Sequence, residues 1–129
     1  MSEEARRSLA KAEQRLKAAQ ANLSLGLPDI AGALAYSAAY HAAQAFIRHR
    51  TGRHVKTHAG VRTEFARLVH AEPRPGRELT TFLARGYELK AIADYATDPD
   101  LEIAPADAAA AIAAGGRFLA WVTEAIEPD

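Results

Sequence analysis

Three groups of polar side chains in this chain have types and spacings that could do chemistry. They combine phenols, imidazoles and amines, which can donate, accept or carry protons and can hold anionic ligands. In chain order the groups are Tyr36, Tyr40 and His41, then Lys56, Thr57 and His58, then Lys90, Asp94 and Tyr95. No cysteine accompanies them, so thiolate chemistry and thiolate metal ligation are excluded.

The first group lies in an apolar stretch that reads as a helix. Tyr36 and Tyr40 are four residues apart and share one helix face, whereas His41 points about 100° away from Tyr40. Burying these polar atoms without partners would cost a few kcal/mol each. The group therefore either belongs to a core in which the polar tips find partners, or lines a ligand cleft.

The second group lies where a helix is expected to begin, with Thr57 as its N-cap. Free backbone N–H groups, the positive end of the helix dipole and the Lys56 amine together suit an anion. Arg53 and Arg62 add positive charge on either side, so Arg53, Lys56 and Arg62 are predicted to contact phosphates. Ordinary helix capping explains the same residues equally well.

The third group is predicted to lie on a helix. Lys90 and Asp94 are four residues apart, so they can form an ion pair on its surface. They can also line a cleft, and Tyr95 follows them in the chain.

Standard catalytic and metal-binding signatures are absent from the sequence. There is no phosphate-binding glycine loop, no His-Glu-x-x-His and no Gly-x-Ser-x-Gly. The five histidines lack paired carboxylates at ligand spacing, so we expect neither a metal nor another cofactor. The first residues lack the apolar core of a signal peptide, and with no cysteine the chain is expected to be cytoplasmic and not membrane-bound.

Charge is unevenly distributed although the net charge is zero. Between Arg48 and Arg77 there are eight Lys or Arg residues against two acids, whereas from Asp94 onward there are eight acids and one Arg. A basic middle segment creates a local positive potential suited to phosphates. Pairing of these bases with the acidic C-terminal helix, of the same or another subunit, is the alternative.

Alanine supplies 31 residues, which favours closely packed helices and predicts one all-α domain over residues 1–129. The organising element is Ala33–Ile47, which carries no formal charge and has small residues on every helical face. A helix that is apolar all round is buried, so this one should be central. It is expected to start near Ile30, with Asp29 as its cap, and to reach about Arg50.

The remaining helices are predicted to surround the central one. Their expected ranges are Glu3–Leu25, His58–His70, Glu78–Ala96 and Pro105–Ile126, with breaks at Pro73–Gly76 and Thr97–Asp100. The expected core residues are Val61, Phe65, Leu68, Leu79, Phe82, Leu83, Leu89, Ile92, Ile112, Leu119, Val122 and Ile126, with Trp121 near an edge. The charges of the first helix, including Arg15, are expected to form a solvated face. Gly115 and Gly116 predict a close approach to another backbone and, with the alanine-rich faces, dimerisation.

Three segments in order and spacing resemble one family. They are Ala35–Ala43, Lys56–Val61, and Glu88–Lys90 followed by Ala93–Tyr95, and together they are similar to small stand-alone prokaryotic HEPN-domain proteins. The resemblance implies a bundle of four main helices and a shorter one, a homodimer with a cleft between protomers, and pairing with a minimal nucleotidyltransferase. It also implies a toxin–antitoxin or nucleotide-handling system.

Many HEPN toxins are metal-independent ribonucleases that use an Arg followed four to six residues later by a His. This chain has Lys90 where the branch commonly has Arg, and Tyr95 in place of the His. Lysine holds a phosphate only as a point charge, and tyrosine is a poor base at neutral pH. We therefore expect a protein that binds nucleotide or RNA, or partners a nucleotidyltransferase. The alternatives are an RNA-cleaving toxin, with His58 or His41 replacing the missing histidine beside Lys90, and a structural interaction module without catalysis.

Overall fold

The structure, a computed structural model, describes residues 1–70, 76–95, 97–98 and 101–127. Within these residues the chain is all-α, as predicted. The helices are α1 (Glu3–Ser24), α2 (Pro28–Thr51), α3 (His58–Val69), α4 (Gly76–Tyr95) and α5 (Pro105–Ile126).

The predicted helix ends agree with the structure to within two residues, with one break misplaced. Gly76, predicted to belong to a break, is the first residue of α4. The rest of that break, residues 73–75, lies outside the described residues, as do Ala96, the predicted end of this helix, and residues 99–100 of the second break.

Helix α2 is the central element, as the sequence predicts, and packs against α1, α3, α4 and α5. Its alanines allow these neighbours to approach closely, and Ala35, Ala39, Ala42 and Ala43 are completely buried. The prediction that every face is buried is wrong for one stripe. Residues at helical spacing along it are only partly buried, namely Ala33, Leu34, Ser37, Tyr40 and His41.

A close backbone approach explains Gly115. A Cβ atom there would lie 3.1 Å from the carbonyl oxygen of Ala35, so α5 contacts the backbone of α2 as predicted. Gly116 does not share this role, since its Cβ would meet Leu16 at an ordinary 3.8 Å. Because Gly115 serves a contact within the chain, it no longer argues for a dimer.

The cap predicted at the start of α2 is wrong. The helix begins at Pro28 with no side-chain cap, because proline at this position has no N–H to satisfy and fixes a helical φ. The Asp29 carboxylate instead accepts a hydrogen bond from the backbone N–H of Ile103, at 2.6 Å. This bond ties the start of α2 to the segment before α5.

The core contains most of the residues predicted for it. Those buried as expected are Val61, Phe65, Leu79, Leu83, Ile112, Leu119, Val122 and Ile126. Leu68 is only partly buried and its neighbour Val69 takes the inward position. Phe82, Leu89 and Ile92 are also only partly buried, because α4 covers the core at its rim. Trp121 lies at the edge as expected and contacts Phe46, with ring centroids 5.2 Å apart.

Helix α5 is the only helix within the described residues that is long and apolar enough to cross a membrane by length and composition. Its large side chains Phe118, Val122 and Ile126 are fully buried against the rest of the bundle. The core helix of a helical bundle has the same length and composition.

Candidate functional site

A cleft of about 310 Å³ runs along the partly exposed stripe of α2. Helix α1 forms one side, and the start of α3 and the end of α4 form the other. The cleft is lined by Arg15, Ala33, Leu34, Tyr36, Ser37, Tyr40, His41, His58, Lys90 and Asp94. The cleft therefore brings together all three residues of the first chemical group, Tyr36, Tyr40 and His41. It also includes His58 from the second group, and Lys90 and Asp94 from the third.

The start of α3 places His58 in this cleft. The Thr57 hydroxyl caps the helix by accepting the backbone N–H of Gly60 at 2.9 Å, which confirms Thr57 as the predicted N-cap. His58 is the first helical residue, and its Nδ1 lies 2.7 Å from the hydroxyl oxygen of Tyr36. The Tyr36 side chain is buried, with 1% of its surface exposed, so its polar tip is satisfied by His58.

Three tyrosine rings surround the imidazole of His58. The ring centroids of Tyr40, Tyr87 and Tyr36 lie 4.3, 5.2 and 5.8 Å from that of His58. Such contacts add about 0.5–1.5 kcal/mol per aromatic pair and restrict the orientation of each ring. The cluster fixes where His58 points.

Gly86 on α4 makes room for this cluster. A Cβ atom at this position would lie 2.7 Å from Cδ1 of Tyr36, closer than packed atoms come. Gly86 is not recognisable from the sequence, because an isolated glycine within a helical pattern gives no indication of what it faces.

Gln44 orients the side chain of Tyr40 by a hydrogen bond to its hydroxyl group. Its amide nitrogen donates to the backbone carbonyl of Val55 at 2.7 Å and to the hydroxyl of Tyr40 at 3.2 Å. With 4% of its surface exposed, Gln44 is anchored in the core. Since the Tyr40 hydroxyl accepts from Gln44, its own proton remains available to a ligand.

The cations of the cleft come from two helices. Lys90 and Asp94 form an ion pair at 2.7 Å, and both residues also line the cleft. The two alternatives for these residues, an ion pair and a cleft lining, therefore occur together. Arg15 also lines the cleft, which corrects its assignment to a solvated face. Its position follows from the close packing of α1 on α2, which the charge pattern of one helix does not reveal.

Arg62 lies beside the cleft without lining it. Its guanidinium stacks over the Tyr87 ring at 5.1 Å, and its Nη1 is buried with no hydrogen-bond partner in the described part of the chain. The charge of Arg62 acts on both Tyr36 and His58.

Burial and positive neighbours set the protonation of the site. Burial raises the pKa of Tyr36 to about 12, an increase that the charge of Arg62 partly offsets. Burial, followed by the charges of Lys90 and Arg62, lowers the pKa of His58. Burial, followed by Arg15 and Lys11, lowers the pKa of His41 to about 4. At neutral pH the cleft thus combines neutral imidazoles with a protonated phenol.

Besides Arg62, four more residues predicted to bind or act at the site do not line the cleft. Arg53 lines a separate groove of about 440 Å³ and lies 3.8 Å from Glu64. Lys56 and Thr57 are exposed and line neither space. Tyr95 is 79% exposed at the end of α4 and does not line the cleft either. Of the anion site predicted from Lys56, Thr57 and His58, only His58 therefore lines the cleft.

The described residues contain no group of three or more histidine, aspartate or glutamate side chains that could hold a metal ion. The cleft itself contributes one carboxylate, from Asp94, and that carboxylate is paired with Lys90.

Comparison with known families gives one match. The family model described as HEPN domain matches residues 5–126 of the chain, from the first turn of α1 to the end of α5. No curated protein matches the chain significantly.

Proposed function

The chain belongs to the HEPN domain family, and from this premise we propose that its cleft binds the phosphate-bearing unit of a nucleotide or an RNA. Family membership supports a general nucleotide- or RNA-related role. Beyond that general role, we propose that binding takes place in the cleft and that the bound RNA is not cleaved.

The observation that carries the proposal is the set of side chains in one cleft. Arg15 and Lys90 supply two positive charges against the single carboxylate of Asp94. Guanidinium and ammonium groups bind phosphate through charge-assisted hydrogen bonds. A phosphate that reaches Lys90 competes with Asp94 for an ammonium group that is still accessible to solvent.

The apolar part of the cleft suits a base or a ribose. Tyr40 and Leu34 add ring and aliphatic surface beside the polar groups, and Ser37 adds a hydroxyl. Stacking of a base on an aromatic ring is worth about 1–3 kcal/mol. The volume lies at the low end of small-molecule sites, which favours a single nucleotide unit over a folded RNA.

Binding is tested with a fluorescein-labelled single-stranded oligoribonucleotide in EDTA, by anisotropy. We expect binding that weakens as salt is added, and about tenfold weaker binding for Arg15→Gln and for Lys90→Gln. Lys17→Gln is the matched control, because Lys17 is an exposed cation on the same helix as Arg15 and does not line the cleft. Equal effects of all three substitutions would refute binding in the cleft.

A metal-independent ribonuclease is the second candidate, and one observation favours it. His58, a base neutral at pH 7, shares the cleft with the Lys90 cation. A ribonuclease needs a proton acceptor for the 2′-hydroxyl and a cation for the negative charge that develops on the phosphorane oxygens. We expect little or no cleavage, because Nδ1 of His58 is engaged with Tyr36, and burial with the charges of Lys90 and Arg62 lowers the pKa of His58.

Cleavage is followed on denaturing gels with the same RNA in EDTA. Robust cleavage that is lost in both Lys90→Ala and His58→Ala, with the fold intact, would make the ribonuclease the primary function. Intact RNA under conditions of saturated binding supports the binding function.

The partners of the chain form a separate part of the proposal. The resemblance supports a homodimer and a minimal nucleotidyltransferase as partner in a toxin–antitoxin-type system, and the cysteine-free sequence supports a cytoplasmic location. A small nucleotidyltransferase encoded next to this chain, and its co-purification with it, would support the pairing. A purely structural interaction module would bind the partner protein but neither nucleotide nor RNA.

A further inference from the structure

The direction of the hydrogen bond between Tyr36 and His58 determines which nitrogen of the imidazole carries the proton. The Tyr36 hydroxyl is buried, and Nδ1 of His58 lies 2.7 Å from it. A buried hydroxyl that fails to donate its proton costs about 1–3 kcal/mol. The direction of this hydrogen bond therefore matters to the energy of the fold.

Only one direction satisfies the hydroxyl. The other polar group acting on it is the guanidinium of Arg62, which has donors and no acceptor. No further hydrogen-bond partner of this hydroxyl occurs in the described part of the chain. Tyr36 must therefore donate to Nδ1, which has to be unprotonated to accept.

The surroundings of His58 keep the ring neutral and fixed. Lys90 and Arg62 are the charged groups whose fields reach it, and both oppose a second proton. The rings of Tyr40 and Tyr87 pack around the imidazole and hold its orientation. A neutral ring with Nδ1 unprotonated carries its proton on Nε2, at the opposite edge of the ring.

We infer that Tyr36 holds His58 in the tautomer with its proton on Nε2, so that His58 offers a bound phosphate group a fixed N–H donor and not a base. This inference rests on the proposed binding function. It makes Tyr36 a positioning residue and assigns His58, with Arg15 and Lys90, to the phosphate end of the ligand.

The tautomer is tested without ligand, on the ¹⁵N-labelled full-length protein at pH 7, in a long-range ¹H–¹⁵N spectrum of the imidazole nitrogens. The signals of His58 are identified by their loss in His58→Gln. We expect an unprotonated Nδ1 and a protonated Nε2 in the wild type. In Tyr36→Phe, which keeps the ring and removes the hydroxyl, we expect a mixture of tautomers. An imidazolium, a protonated Nδ1, or an unchanged spectrum in Tyr36→Phe would overturn the inference.

The donor role is tested with AMP and with adenosine, which lacks the phosphate. We expect His58→Ala to lower AMP affinity roughly tenfold and adenosine affinity little, since a hydrogen bond to a charged group is worth about 1.5–3 kcal/mol. His58→Gln should retain most of the AMP affinity through its own N–H. Equal losses for AMP and adenosine would contradict a phosphate contact. The expected spectrum together with no AMP binding by the wild type would confirm the tautomer and refute the proposed binding function.

Discussion

Gly86→Ala tests whether α4 and the tyrosine cluster are packed as tightly as the structure indicates. A Cβ atom at this position would lie 2.7 Å from Cδ1 and 3.3 Å from Cβ of Tyr36. Tyr36 is completely surrounded and cannot swing into solvent. Either α4 or the Tyr36 ring must move, and movement of the ring also stretches the 2.7 Å hydrogen bond to His58.

The expected magnitude follows from three opposing contributions. Alanine is favoured over glycine within a helix by about 1 kcal/mol. Overpacking a well-filled core costs about 1–3 kcal/mol, and weakening the Tyr36–His58 hydrogen bond costs about 0.5–1.5 kcal/mol. The balance is a loss of about 0.5–3.5 kcal/mol in the free energy of unfolding.

Gly116→Ala is the matched control. This glycine also lies within a helix, but a Cβ atom there would meet its nearest neighbour, Cδ2 of Leu16, at an ordinary 3.8 Å. We expect this variant to be more stable than the wild type by up to about 1 kcal/mol, from helix propensity alone.

Urea unfolding followed by circular dichroism measures both variants, with a change of midpoint at constant slope reporting stability. Gly86→Ala should unfold at lower urea concentration than the wild type and Gly116→Ala at higher concentration. Stabilisation of the protein by Gly86→Ala, to the same extent as by Gly116→Ala, would refute the packing of Tyr36 against α4.

Three further predictions concern pH, surface charge and assembly. In the folded chain the pKa of His41 is lowered to about 4 from 6.5, so the unfolded chain binds its proton first and stability falls as pH drops from about 6.5 to 4. Partial exposure of His41 reduces this loss of stability to about 1–2 kcal/mol. Across this pH range the urea midpoint should therefore fall less for His41→Gln than for the wild type. An equal fall in both proteins would contradict the burial of His41. Lys56→Glu should weaken RNA binding in an anisotropy titration less than Lys90→Glu, since Lys56 does not line the cleft; the reverse order would place the RNA at the start of α3. Sedimentation at micromolar concentration should give about twice the monomer mass. A monomer would contradict the homodimer and the cleft between protomers that the resemblance implies.

The helices were predictable because their signals are local. The alanine content, the uncharged stretch of α2 and the Thr57 cap each favour a helix or its start through residues close together in the chain. Asp29 shows the limit of such signals. Its carboxylate could have capped the start of α2, but it accepts a hydrogen bond from the backbone N–H of Ile103, 74 residues away along the chain.

The site was predictable in part, because it depends on which helices pack together. Tyr36, Tyr40 and His41 stood out as polar residues in an apolar helix, and all three line the cleft. Arg15 did not stand out, because a cation on an amphipathic helix looks the same whether it faces solvent or a cleft. Likewise, proximity along the chain grouped His58 with Lys56, but only His58, the first residue of α3, lines the cleft, whereas Lys56 precedes the helix and is exposed.

Ligand mapping by NMR shows whether nucleotide binds in the cleft along α2. The measurement is a titration of the ¹⁵N-labelled protein with AMP, following the backbone amide signals. We expect shifts concentrated at Arg15, Ser37, His41, His58 and Lys90, which line the cleft on four different helices. Shifts concentrated instead in the groove of Arg53, Gly60 and Thr63, with the cleft residues unchanged, would contradict binding in the cleft.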